Sequence, residues 1–169
     1  IGSAAPVVQD ISKVAAIWSV QGALLVGIAS VIVLAWKPVA ASFAEGAKHA
    51  IGVAAAELIR DGDTVALSSG STVLELARRL RERRLTVITN ALDVANALVD
   101  APGIDLVVLG GMLLRGVHSL GGHLTEAAMR DLRADTAFMG ASAVDLEHGF
   151  MTEQIAEIPV DRALRRMAR

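Results

Sequence analysis

The strongest constraint on this chain is an alternation between short apolar runs and longer stretches with helical spacing. "TVAL" (Thr64 to Leu67), "LTVITN", "IDLVVLGG" and "TAFMGAS" are each too short for a stable helix and rich in β-branched or aliphatic residues. Between them lie segments with apolar residues at three- and four-residue intervals: Ala47 to Arg60, Thr72 to Arg83, "ALDVANALVDAP" closed by proline and glycine, and "LTEAAMRDL". Strand and helix in regular succession predict an α/β fold, a Rossmann-like parallel sheet flanked by helices, because a parallel strand pair needs a crossover that a helix supplies. Hydrophobic residues make up 53% of the chain but aromatics only 3%, so the core that fills such a sheet must be aliphatic.

The chain divides near residue 47, giving an apolar N-terminal segment and linker over 1–47 and the α/β unit over 48–169. From Val14 to Trp36 there is no charged residue, with Lys13 and Lys37 at the borders and Trp18 and Trp36 near the ends. As an apolar helix preceding the sheet it would extend roughly 34 Å at about 1.5 Å per residue, enough to cross a bilayer core of about 30 Å. Gln21, Ser19, Ser30, Gly22 and Gly27 weaken that reading, so a membrane span and a buried or displaced apolar segment both stand. No cysteine is present, which excludes disulfides and thiolate metal sites and suits a cytoplasmic location. His49, His118, His123 and His148 show no metal-ligand spacing, and neither a metal nor a cofactor is expected.

In a parallel α/β sheet, ligands sit beyond the carboxyl ends of the strands, where the following helices present unpaired amides and the positive ends of their dipoles. "SSGST" occupies such a junction after the first strand. There Gly70 lets backbone approach a ligand, and Ser69 and Ser71 offer hydroxyls to an anion. A competing reading is local: Thr72 and Glu75 fit a capping box, in which the threonine caps the helix and the glutamate reaches back. That accounts for Thr72 and leaves Ser68, Ser69 and Ser71 over. No lysine follows the glycine, so the loop is not a Walker A motif, and it is not a nucleophile elbow either. The other strands also end in small or hydrogen-bonding residues: Thr89 and Asn90, Gly110 and Gly111, Gly140 and Ser142. Glycines 110, 111, 116, 121 and 122 then give a long flexible stretch that could close over a ligand.

The segments "KHAIGVAAAELIRDGDTVALSSGSTVLELA", "LTVITNALDVANAL", "IDLVVLGGMLLRGVHSLGG" and "LRADTAFMGASAVDLEHGFMT" resemble the effector-sensing domain of DeoR-family bacterial transcriptional repressors. That domain shares its fold with ribose-5-phosphate isomerase and glucosamine-6-phosphate deaminase. The resemblance implies binding of a phosphorylated sugar without turnover, with Ser69, Gly70, Ser71 and Thr72 holding the phosphate and Thr89, Asn90, Gly110, Gly111 and Gly121 lining the sugar site. It also implies a homo-oligomer and DNA as partner through a helix-turn-helix. Residues 1–36 carry Lys13 as their only cation, too few for the several phosphate contacts that DNA affinity requires, and no helix-turn-helix is recognisable. Other departures from the family pattern are Ser68, where an aspartate commonly opens the loop, and Asp161, where a lysine usually stands. Pro159 is expected to break or kink that last helix. Family members continue with further strands past it, so the chain, starting at Ile1 and stopping at Arg169, reads as a fragment or a curtailed copy.

Two other functions compete with the sensor reading. An isomerase or deaminase needs an acid and a base facing the sugar, and Glu126 and Asp145 are the nearest uncommitted acids by sequence. A membrane-anchored sugar-phosphate module depends wholly on residues 14–36. Arg78, Arg79, Arg81, Arg83 and Arg84 crowd one helix end, where they complement its dipole and no aromatic residue interleaves to stack on bases.

Overall fold

Val65 and Leu67 point to one side of the first strand and Ala66 to the other, yet all three are fully buried. Burial on both faces is what a central parallel strand requires, and it accounts for the unbroken apolar run of "TVAL". In a computed structural model of the chain, residues 37–169 are described, and the apolar run from Val14 to Trp36 lies outside them. The elements are α1 (Lys37–Glu57), β1 (Thr64–Leu67), α2 (Ser71–Leu80), β2 (Leu85–Thr89), α3 (Leu92–Leu98) and β3 (Ile104–Val108). Two short strands follow, β4 (Met112–Leu114) and β5 (Ser119–Gly121), then α4 (His123–Asp131) and β6 (Thr136–Phe138). A last hairpin, β7 (Ala143–Asp145) and β8 (Gly149–Met151), leads through a single 3-10 turn at Ile155–Glu157 into α5 (Ile158–Met167).

The central sheet is four-stranded and parallel, in the order β3-β2-β1-β6. One face carries Val65, Leu67, Val87 and Phe138 against Ile59 just past α1, Leu76 and Leu80 of α2, and Val94 and Leu98 of α3. The opposite face carries Ala66, Ile88 and Ala137 against Met129 of α4 and Val160, Leu164 and Met167 of α5. Small alanines at the centre of this second face let α5 pack close to the sheet. The expected α/β architecture is therefore the observed one.

Several local expectations change. The first helix is described over Lys37–Glu57, where the spacing predicts Ala47 to Arg60. Gly52 brings it against α2: a Cβ there would stand 3.0 Å from the Leu76 amide nitrogen. "IDLVVLGG" forms an edge strand whose Val107 and Val108 are exposed, because β3 has a neighbour on one side only. The glycine-rich stretch is no open loop but the antiparallel hairpin β4–β5, pinned to the sheet by an isolated bridge between Ala91 and Ser119. Pro159 does not interrupt the last helix: it lies in the first turn of α5, where no intrahelical amide is needed from it.

Among the described residues, no helix is long and apolar enough to cross a membrane. No group of three or more histidine, aspartate or glutamate side chains among them is placed to hold a metal ion.

Candidate functional site

The chain runs β1, β2, β3 outward in one direction and then returns to lay β6 on the other side of β1. Loops leaving β1 and β6 diverge at that reversal, and such a point in a parallel sheet is where a crevice opens at the carboxyl ends of the strands. A cavity of about 200 Å³ lies there, lined by Ser69, Gly70, Ser71 and Thr72 after β1, Gly140 after β6, and Glu157 and Asp161 at the start of α5.

The β1 loop is shaped by two close approaches. Ser68 is buried, and its backbone amide donates to the Phe138 carbonyl at 3.0 Å. Its hydroxyl donates to the Ser69 carbonyl at 3.1 Å and accepts from the Gly140 amide at 3.0 Å, so the first of the clustered hydroxyls ties the β1 loop to the β6 loop. Gly140 must be glycine for that approach, since a Cβ would sit 2.8 Å from the Ser69 carbonyl oxygen. Gly70 then takes φ +124° and ψ +146°, a conformation that residues with a side chain rarely adopt, and turns the chain into α2.

Because Gly70 is the residue that caps α2, no side chain closes the helix end. The first intrahelical bond runs from the Leu74 amide to the Gly70 carbonyl at 2.9 Å, which leaves the amides of Ser71, Thr72 and Val73 without helical acceptors. The capping box expected from Thr72 and Glu75 does not form. Thr72 lies inside the helix, and the Glu75 carboxylate bonds Arg78 and faces His49 Nδ1 at 3.6 Å. An uncapped helix terminus bordered by the hydroxyls of Ser71 and Thr72 at the edge of a cavity presents several hydrogen-bond donors and the positive end of a helix dipole.

The opposite wall is acidic. The Ser69 hydroxyl donates to Glu157 Oε1 at 2.9 Å, and the Thr152 hydroxyl donates to Glu157 Oε2 at 3.4 Å. Asp161 follows one helical turn later. Burial, and then the neighbouring charge of Glu157, push its carboxyl up to about 6. Sequence reasoning singled out Asp161 only as a missing lysine and passed over Glu157 and Thr152. The spacing of Glu157 and Asp161 on one face of an amphipathic segment was the available signal.

The remaining expected site residues lie away from this cavity. Thr89 is fully buried, donating its hydroxyl to the Leu67 carbonyl at 2.8 Å and accepting from the Ala91 amide at 3.0 Å. Asn90 Nδ2 donates to the Leu120 carbonyl at 2.8 Å and so holds β5 to the end of β2. Its Oδ1, like the hydroxyl of Ser119, is buried without a partner. Gly110 is exposed with open space around it. Gly111 is required by packing, since a Cβ would meet Thr125 Oγ1 at 2.1 Å, and Gly121 by the Leu114 side chain at 2.9 Å. Glu126 and Asp145, expected as the uncommitted acids, do not line the cavity. Asp145 instead accepts the His148 amide at 2.7 Å on the β7–β8 hairpin and is lowered by that bond. His118 and His123 are exposed, His118 facing Asp93 at 3.4 Å. Of the crowded arginines, Arg78 pairs with Glu75 and Arg83 with Asp61, so the helix end is partly paired locally.

Comparison with known proteins fits this architecture. Residues 44–169 match the family described as the DeoR C terminal sensor domain. The chain is 37% identical over 102 residues to the HTH-type transcriptional repressor GlcR of Bacillus subtilis, covering 60% of this chain and 39% of that protein. It is 36% identical over 118 residues to the HTH-type transcriptional regulator GolR of Listeria innocua, covering 69% and 46%. It is also 37% identical over 93 residues to the lactose phosphotransferase system repressor of Lactococcus lactis, covering 53% and 36%. The chain thus spans less than half the length of these curated relatives. With the sensor-domain match extending over most of its residues, this chain belongs to the DeoR family.

Proposed function

We propose that the chain is the effector-sensing part of a DeoR-type transcriptional regulator of sugar metabolism, acting in the cytoplasm. It binds a phosphorylated sugar and releases it unchanged. The observation that carries this reading is the uncapped N-terminus of α2, facing a cavity at the reversal point of the sheet. Its free amides, with the hydroxyls of Ser71 and Thr72, supply donors for phosphate oxygens, and Gly70 keeps a side chain from covering them. Repression adds DNA and a second copy of the chain as partners, to be checked by mobility shift and sedimentation with the effector present and absent.

Isothermal calorimetry of the full chain against phosphorylated sugars and their unphosphorylated counterparts tests the core of the proposal. Binding is expected only with the phosphate. Ser71→Ala removes one charge-assisted bond and is expected to weaken binding about tenfold or more. The ligand recovered after incubation is expected chemically intact. Equal binding by parent and Ser71→Ala, or no binding by any phosphorylated sugar, would return the serines to turn chemistry.

A further inference from the structure

The cavity combines an anion seat with two carboxylates, and no lysine, arginine or histidine lines it. Glu157 and Asp161 lie four residues apart, so the helical geometry of α5 sets them on one side, and both border the cavity. Neither forms a salt bridge with any cation among the described residues. Glu157 is held in place from the α2 side by Ser69 and from its own side by Thr152. A phosphate dianion alone, seated at α2, would add its charge to an enclosed space already holding two acids and no cation. The same space suits a ligand that brings its own positive charge.

Resting on the reading of this cavity as a sugar-phosphate site, we infer that the effector is an amino sugar phosphate, with its phosphate at the N-terminus of α2 and its ammonium against Glu157 and Asp161. Phosphate and ammonium then each meet groups of opposite polarity, and the acidic wall discriminates against neutral sugars carrying the same phosphate. A purely structural role, in which the two acids only complement the α5 dipole, predicts no preference among ligands.

The test is calorimetry of the full chain near pH 7.5 with glucosamine 6-phosphate and galactosamine 6-phosphate against glucose 6-phosphate and galactose 6-phosphate. At least one amine is expected to bind about tenfold or more tighter than its neutral counterpart, the effect of one charge-assisted contact. In Glu157→Gln, and separately in Asp161→Asn, that ratio is expected to fall toward one, with thermal melts of both variants reporting that the fold is kept. If neutral and amino sugar phosphates bind alike, or the ratio is unchanged in both variants, this inference fails while the sensor reading stands. If neither amine binds, this inference fails, and the sensor reading is decided separately by the wider panel of phosphorylated sugars.

Discussion

Replacing Gly70 with alanine separates backbone conformation from steric space at the centre of the site. Gly70 sits at φ +124° and ψ +146°, where residues with a Cβ are strained by about 1–3 kcal/mol. The space itself is free: an added Cβ would meet only the Gly140 Cα, at 3.8 Å, an ordinary contact. The cost is therefore conformational. Alanine also stiffens the unfolded chain, which offsets about 0.4–1 kcal/mol of it and leaves a net loss of up to about 2.6 kcal/mol, about 1.3 kcal/mol at the middle of both ranges. For a domain of this size that corresponds to a fall in melting temperature of roughly 3–10 °C. Gly110→Ala is the control, since open space surrounds Gly110 and its φ is not positive. That variant is expected to melt within experimental error of the parent or slightly above it. Reversible thermal unfolding followed by far-ultraviolet circular dichroism measures both. If Gly70→Ala melts with the parent, or Gly110→Ala falls as far as Gly70→Ala, the conformation assigned to the loop before α2 is wrong, and the argument for an open helix end goes with it.

Thr72→Ala is expected to change stability by no more than about 0.5 kcal/mol, because Thr72 lies inside α2 and makes no capping bond; a loss near 1 kcal/mol in urea unfolding would restore the capping box. Thr89→Val keeps the shape but leaves the Ala91 amide unpaired in the core, and the same assay is expected to show a loss of about 1–3 kcal/mol. Asp161, raised from 3.8 to about 6 in the folded chain, binds its proton more tightly folded than unfolded, so stability is expected to fall as pH rises across that window. Asp161→Asn is expected to flatten that part of the melting-temperature profile, and an unchanged slope would show that another group is responsible.

Much of the fold is legible because it follows from local periodicity. The apolar runs at Thr64, Leu85, Ile104 and Thr136 form the four strands of the sheet, since a doubly covered parallel strand has to be continuously apolar. What periodicity misses is whatever depends on neighbours distant in sequence. Nothing within "IDLVVLGG" indicates that β3 lies at an edge, because that is decided by β6 returning to the far side of β1. The glycines of residues 110–122 suggest mobility in isolation. In the folded chain Gly111 and Gly121 are small because Thr125 and Leu114 press on them, so their composition reflects packing. Pro159 misleads for a related reason: the sequence shows a helix-breaking residue but not that the helix begins at the preceding position.

The candidate site divides along the same line. The loop that leaves the α2 terminus open is encoded within five consecutive residues, and the chemistry of Gly70 and its neighbours can be read without knowing what faces them. The capping box was the tempting local alternative. It fails because the helix starts two residues earlier than the pattern implies, with Gly70 and not Thr72 as its cap, which moves Thr72 inward and leaves Glu75 to Arg78 and His49. The acidic wall, by contrast, arrives from 88 residues away, through the bond from Ser69 to Glu157. Only the β1–β6 adjacency brings that part of the chain to the loop, and no periodicity in the segment around Glu157 reports it. Asp161 in place of a lysine reads along the sequence as the loss of a ligand contact. Set beside Glu157 across from an open helix end, the same aspartate instead completes an acidic wall, a feature that exists only once the fold has brought the start of α5 to the β1 loop.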